Sequence, residues 1–464
     1  MPTATLAPHR IDPTILREYD IRGIVGDTLT LDDAGAIARA FGTQVVRNGG
    51  SRVCVGYDGR LSSTDIEAAV VDGLVSCGIT TIRVGLGPTP MLYFAVKTTD
   101  ADGGIMISGS HNPPEYNGFK LLTSSGAFYG EDIQELGAIA AAGEFAAGSG
   151  SAVRRPMLDV YVDRLFADFR GGRDLHVAWD AGNGSAGQAM EMLCSRLPGR
   201  HRLLNEKIDG TFPAHHPDPT VPENLVELQR VVAAEGCDLG IAFDGDGDRI
   251  GVVDAKGRIL WGDQLLILLA EDVLADQPGA EIIADVKASQ TLFDEIARMG
   301  GKPLMWKTGH SLIKTRMAES RAPLAGEMSG HIFFADRYYG YDDALYAAVR
   351  LLSYLARSAL SLTEHRDRLP QPVNTPELRF PSDDTRKFEV VREVRDRLKK
   401  AGADMTDIDG VRVRTKDGWW LLRASNTQDV LVARCEADDE AGLDRLKAAL
   451  AAELRSSNVE LPEF

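Results

Sequence analysis

Three stretches of the chain repeat one pattern of hydrophobic and polar positions. A short apolar run gives way to a loop rich in Gly, Asp or other polar residues, and then to a helix-like segment. The first is Arg52-Val-Cys-Val-Gly-Tyr-Asp-Gly-Arg60, followed by residues 62–77. The second is Leu175-His-Val-Ala-Trp-Asp-Ala-Gly-Asn-Gly184, followed by 185–196. The third is Glu281-Ile-Ile-Ala-Asp-Val-Lys287, followed by 289–299. Short apolar strands alternating with helices read as α/β units on a mostly parallel sheet. A spacing of ~100 residues is too long for a solenoid repeat and suits a series of similar domains.

From Leu378 onward the pattern changes. A strand over 378–380 precedes an amphipathic helix over 385–400. Val411-Arg-Val-Arg-Thr415 alternates, Lys416-Asp-Gly418 supplies a hairpin turn, and 419–422 returns. A strand over 430–436 and a helix over 441–453 close an antiparallel α+β module. Pro370, Pro372 and Pro376 mark a linker ahead of it. The expected organisation is therefore α/β domains over 1–155, 156–257 and 258–372, then an α+β domain over 373–464.

A length of 464 residues with 44% hydrophobic and 26% charged positions supports several packed cores and excludes a disordered chain. The net charge of −17 argues against nucleic-acid or anionic-membrane partners, which need a basic face. It leaves room for an anionic small molecule held by local Arg, Lys and helix N-termini. The five cysteines are scattered without a CxxC pair, which fits a reduced cytoplasmic setting. The first sixteen residues lack a signal-like apolar run, and the richest apolar window, 265–275, is broken by Glu271 and Asp272.

Chemistry concentrates in a few loops. In Leu239-Gly-Ile-Ala-Phe-Asp-Gly-Asp-Gly-Asp-Arg-Ile-Gly-Val-Val253, Asp244, Asp246 and Asp248 stand at every second position between two apolar runs. The glycines let the loop turn sharply, so three carboxylates can converge on one hard cation, Mg²⁺ or Ca²⁺ rather than zinc. Without a cation they would repel one another and raise their pKa values. An EF-hand is excluded, because Arg249 and Ala255 fill the positions that need Gly and Glu. In Ile105-Met-Ile-Ser-Gly-Ser-His-Asn-Pro-Pro114, Ser110 precedes His111 on a turn that two prolines keep from becoming helix. It reads either as an activated nucleophile or as an ordinary turn. Gly182-Asn-Gly-Ser-Ala-Gly187 fits the dinucleotide fingerprint, with Glu206 near the ribose-binding distance, or else a tight strand-to-helix turn. Gly326-Glu-Met-Ser-Gly-His331 gathers a carboxylate, a hydroxyl and an imidazole. Arg423-Ala-Ser-Asn-Thr427 gathers donors suited to phosphate oxygens.

Together with Arg17-Glu-Tyr-Asp-Ile-Arg-Gly23, Val55-Gly-Tyr-Asp-Gly-Arg-Leu-Ser62, Gly85-Leu-Gly-Pro-Thr-Pro90 and 212–219, these loops resemble the α-D-phosphohexomutase family, in order and through nearly the whole chain. The likeness is greatest to its bacterial phosphomannomutase/phosphoglucomutase branch. The resemblance implies three similar mixed-sheet α/β domains and a C-terminal α+β domain around a central cleft. It implies Ser110 as the phosphoserine, and Asp244, Asp246 and Asp248 as Mg²⁺ ligands with the serine phosphate as a further ligand. Glu327 and Ser329 match the sugar-hydroxyl contacts. Arg423, Ser425, Asn426 and Thr427 match a clamp on the distal phosphate. Tyr19, Arg22, His111, Lys120, Arg249, Lys287, His310 and His331 match other cleft positions. His331 is the expected general acid/base, with Arg22 and Lys120 as rivals.

The reaction implied moves a phosphoryl group between O1 and O6 of mannose or glucose phosphate through glucose 1,6-bisphosphate or mannose 1,6-bisphosphate, in a monomer or homodimer. Phosphoglucosamine mutase, a dinucleotide-dependent dehydrogenase and a non-catalytic sugar-phosphate binder are the alternatives. Met328 favours the mannose/glucose branch, since phosphoglucosamine mutases usually carry Gln there and Ala in place of Gly109. Tyr57, Thr220-Val221 and Gln428-Asp429 depart from the family pattern without removing a matched residue.

Overall fold

A computed structural model describes residues 3–5, 7–383, 385–426 and 428–460. The first lobe is built on a sheet of seven strands. Gly103–Ile107, Arg52–Tyr57, Thr80–Leu86 and Ser151–Arg154 run parallel, and Tyr116–Thr123 and Ile21–Ile24 add an antiparallel edge. The second lobe has parallel strands Gly199–Leu204, Leu175–Asp180 and Leu239–Phe243, extended by an antiparallel hairpin from Leu239–Phe243 to Ile250–Asp254. The third repeats that plan with Lys302–Trp306, Glu281–Asp285 and Leu324–Gly326 parallel, and Ile332–Phe334 antiparallel. The sheets are therefore mixed, and their strands pack against helices.

The central parallel strands are apolar because helices cover their faces, whereas the edge strands Ser151–Arg154 and Gly199–Leu204 are largely exposed. Gly103–Ile107, Leu239–Phe243 and Ile250–Asp254 are buried along their whole length. One apolar core runs continuously through the first three lobes, from Cys54 and Leu92 through Trp179 and Ile241 to Leu268 and Leu352. Helix Ala344–Arg357 is buried almost all round. It carries Arg350 into that core, where Asp272 and Asp336 neutralise it at 2.9 and 2.7 Å.

The last lobe is antiparallel throughout, as expected, with Gly418–Ala424 between Val411–Thr415 and Val430–Ala437. Its core is its own, built from Phe380, Val390, Trp420, Leu431 and Leu446 among others. Several local expectations need correction. The helix expected over 185–196 is only Gly187–Cys194, because the Ser185 N–H is drawn to the Gly245 carbonyl at 2.9 Å. The strand expected to reach Lys287 ends at Asp285, where a turn closes from the Ala288 N–H to the Asp285 carbonyl. The proline-rich linker is not a free tether, since Val373–Asn374 pairs antiparallel with Val430–Ala437.

Candidate active site

The loops carrying Ser110, the three aspartates, Glu327 and Arg423 lie at the carboxyl ends of strands, whereas Tyr19 precedes strand Ile21–Ile24. In open α/β sheets, that edge is where ligands bind. Here the loops of all four lobes converge on a cleft of about 810 Å³.

Strand Gly103–Ile107 feeds the loop that carries Ser110. Ser110 adopts φ of +50°, left-handed backbone that costs a non-glycine residue ~1–3 kcal/mol and persists only where its surroundings enforce it. Arg60 enforces it. The guanidinium donates to the carbonyls of Ser110, Asn112, Pro113 and Tyr116 at 2.5–2.9 Å, and Asp58 faces it at 3.2 Å. Asp58 also accepts the Gly109 N–H and the Ser63 hydroxyl. The loop is thus stitched from beneath. The Ser110 hydroxyl lies 3.0 Å from Asp244 Oδ2 and 3.1 Å from His111 Nδ1. Burial, helped by Arg249, Arg22 and Lys120, holds His111 well below the usual histidine range, so the imidazole beside Ser110 is neutral.

Asp244, Asp246 and Asp248 lie fully buried under the cleft floor, and one oxygen from each falls within 4.8 Å of the others. Asp244 Oδ1 accepts the N–H groups of Asp248 and Arg249, both at 3.1 Å. Glycine is required at 245, where a Cβ would stand 2.3 Å from the Ser110 carbonyl. Lys120 reaches Asp246 at 2.6 Å and Asp248 at 2.5 Å. The expectation that all three carboxyl pKa values rise is therefore corrected. Burial and its two neighbours push Asp244 up. Burial also opposes ionisation of the other two, but Lys120 outweighs it at Asp246, and Lys120 with His331 at Asp248, so both go down. Asp246 Oδ1 is buried without a hydrogen-bond partner among the described residues.

The G-x-G-x-x-G match is a buttress for this loop, not a nucleotide cradle. A Cβ at Gly184 would meet the Gly245 carbonyl at 2.8 Å, and one at Gly187 the Glu206 carbonyl at 2.0 Å. Protein fills the space that a pyrophosphate would need.

In the third lobe, Glu327 Oε1 accepts the Gly309 N–H at 2.8 Å, and Glu327 Oε2 lies 2.9 Å from His331 Nδ1. The opposite nitrogen of His331 is 3.3 Å from Asp248, and Ser329 Oγ is 3.0 Å from Nδ1. Burial opposes charge on His331, but Asp248 and Glu327 prevail and raise it to about 9. Its neighbour His310, 5.7 Å away ring to ring, is instead held neutral by burial and by Lys314 and His331.

Tyr19 joins three lobes, donating to the Thr308 carbonyl at 3.1 Å and accepting from Asn426 Nδ2 at 2.6 Å. Arg22 pairs with Asp20 and donates to Asn112. Arg423, at the end of Gly418–Ala424, donates to Asp409 at 3.0 Å. Arg249, Lys287, Ser425 and Asn426 also line the cleft. Of the expected site residues, only Thr427 lies outside the described residues.

Sequence reasoning missed the supports: Asp58 and Arg60, Asp285, Asp409 and Glu377. Asp285, which burial pushes up to about 6, accepts the Met328 N–H and the Thr308 hydroxyl. Asp409 accepts from both Thr308 N–H and Arg423. Glu377 sits 3.1 Å from Lys287 Nζ across the junction of the third and fourth lobes. The Lys287 ammonium holds the Glu377 carboxyl down at about 2. A depressed carboxyl contributes stability above its unfolded value near 4.5, lost as pH falls toward 2. In urea unfolding, Glu377→Gln should therefore be less stable than the parent by up to about 3 kcal/mol at neutral pH. The gap should stay constant above about pH 5 and close on acidification. A gap independent of pH would show that the pair contributes nothing as ions.

Four lobes closing on a serine backed by carboxylates define the class of α-D-phosphohexomutases. Four family models match consecutive parts of the chain. They are the phosphoglucomutase/phosphomannomutase alpha/beta/alpha domains I, II and III, over residues 13–147, 159–257 and 261–373, and the C-terminal domain over 377–453. The chain belongs to the phosphoglucomutase/phosphomannomutase family. It is 44% identical over 464 residues to a phosphomannomutase/phosphoglucomutase of Pseudomonas aeruginosa, covering 99% of each chain. It is 42% identical over 447 residues to a phosphoglucomutase of Neisseria gonorrhoeae, covering 96% of this chain and 97% of that one. A crystal structure of a family protein from Burkholderia thailandensis superposes with a TM-score of 0.93 at 43% identity, covering 98% of this chain and all of the other.

Proposed function

We propose that the protein interconverts the 1- and 6-phosphates of glucose and mannose through a phosphoserine at Ser110. The observation that carries this is the meeting of the Ser110 hydroxyl with Asp244 at 3.0 Å, on an enforced left-handed turn at the floor of a four-lobed cleft.

Phosphoserine 110 donates first. The bond from Ser110 Oγ to phosphorus breaks as a bond from a sugar hydroxyl to phosphorus forms; the hydroxyl gives up its proton and Ser110 Oγ takes one up, giving a hexose 1,6-bisphosphate and a free serine hydroxyl. The bisphosphate turns around, and its other phosphate returns to Ser110 while that sugar oxygen recovers a proton. Such transfer is mostly a matter of positioning and charge neutralisation. Lys120 and Arg249 bring positive charge to the floor. His331, held between Glu327 and Asp248 and raised to about 9, carries the proton for the sugar oxygen. Glu327 and Ser329 receive sugar hydroxyls. Arg423, Ser425 and Asn426 anchor the phosphate far from Ser110, with bidentate arginine geometry suited to its oxygens.

The buried carboxylates suit a hard divalent cation. They offer oxygens only, and Asp246 Oδ1 awaits a partner. Asp244, Asp246 and Asp248 would hold Mg²⁺, which supplies Lewis-acid stabilisation of charge on a phosphoryl oxygen.

The test is turnover of glucose 1-phosphate and mannose 1-phosphate with catalytic hexose 1,6-bisphosphate, with and without a chelator. Both sugars should turn over, the chelator should stop both, and Mg²⁺ should restore them. Asp246→Asn should raise the Mg²⁺ concentration needed by about tenfold or more. Activity that survives chelation in the parent would remove the metal from this account.

A further inference from the structure

Among the described residues, three side chains of the first lobe hydrogen-bond to the buried carboxylates of the second. Ser110 and Lys120 have roles in the reaction above. The third, Thr89, does not. It opens helix Thr89–Thr98, just beyond strand Thr80–Leu86, and is itself completely buried. Thr89 grips Asp246 twice. Its hydroxyl donates to Asp246 Oδ2 at 2.5 Å, and its N–H donates to the Asp246 main-chain carbonyl at 2.8 Å. A helix's first N–H groups have no partner within the helix, so that of Thr89 is available for this contact. Pro88 packs against the turn just after Asp246, where a Cβ on Gly247 would stand 2.9 Å from the proline ring.

The grip is lopsided. Asp246 Oδ2 takes both the threonine hydroxyl and the Lys120 ammonium, whereas Oδ1 is buried and takes no hydrogen bond among the described residues. Rotation about the last torsion of an aspartate is soft, so a free carboxylate would sample many orientations. Anchoring one oxygen fixes where the other points.

We infer that Thr89 is a positioning residue for the cation site: its hydroxyl fixes the Asp246 carboxylate so that Oδ1 is presented to the cation alongside Asp244 and Asp248. This rests on reading the three carboxylates as that site. Hydrogen bonds that orient a metal ligand are typically worth ~10–100-fold in metal affinity. A threonine that merely filled space would be replaced by valine without effect on the metal.

The experiment compares the parent, Thr89→Val and Thr89→Ser as full chains, with Mn²⁺ as the probe. Bound Mn²⁺ is read from the loss of the free-ion electron paramagnetic resonance signal, which needs no turnover. Urea unfolding in chelator is run alongside. Thr89→Val should bind Mn²⁺ about tenfold or more weakly. Thr89→Ser, which keeps the hydroxyl, should bind within a few-fold of the parent. Parent-like affinity in Thr89→Val would overturn the inference. So would equal weakening in Thr89→Ser, because the lost methyl and not the hydroxyl would then be responsible. Should Thr89→Val fail to fold in the urea control, Thr89→Ser against Thr89→Ala decides on the same criterion. A parent chain that binds no Mn²⁺ would overturn the cation-site reading itself, and this inference with it.

Discussion

Ser110→Ala is expected to abolish phosphoenzyme formation and to cut turnover on the order of a thousandfold or more, the scale on which loss of a catalytic nucleophile is felt. The fold should survive. Among the described residues the hydroxyl hydrogen-bonds only to Asp244 and His111, while the left-handed turn is held through main-chain carbonyls by Arg60. Circular dichroism and urea unfolding should therefore match the parent while turnover collapses. Near-normal turnover in this variant would remove the serine from the mechanism.

Arg60→Met is expected to have the largest effect on stability. The arginine side chain is completely buried, and its two terminal nitrogens serve four carbonyls between Ser110 and Tyr116. Methionine fills similar space but donates nothing. Four carbonyls would lose their donors and the buried Asp58 its counter-charge. Removing one partner of a buried ion pair costs about 3–5 kcal/mol. Unfolding of the first lobe in urea should lose about that much, and the variant that still folds should phosphorylate Ser110 poorly. A loss below about 1 kcal/mol, within the range of a surface pair, would mean the loop is held by something else.

The two predictions differ in how visible their residues are in the sequence. Ser110 and the three aspartates announce themselves locally. A serine before histidine and two prolines, or carboxylates at alternate positions between apolar runs, is a pattern within ten residues. The strand–loop–helix units are legible for the same reason, because burial of parallel strands forces short apolar runs. Arg60 gives no such sign. The four carbonyls it serves lie 50 to 56 positions away, and the Asp246 carboxylate that Thr89 holds lies 157 away. Only the packed sheets bring them together. The same holds for Asp409, which reaches back 101 positions to Thr308. Charge balance is equally non-local. Three aspartates in a row suggest mutual repulsion, yet Lys120, from another lobe, reverses that expectation at Asp246 and Asp248. The prolines of 370–376 read as a linker because no local signal reports that a neighbouring sheet edge will capture two residues between them.

The central claim is that Ser110 carries a phosphoryl group during turnover. Its most direct test is the intact mass of the purified chain before and after exposure to glucose 1,6-bisphosphate, with the modified residue located by peptide fragmentation. The account predicts one phosphate's increment, on Ser110, that disappears when excess hexose monophosphate is added and never forms in Ser110→Ala. Full mutase turnover by a chain whose mass never changes would contradict it.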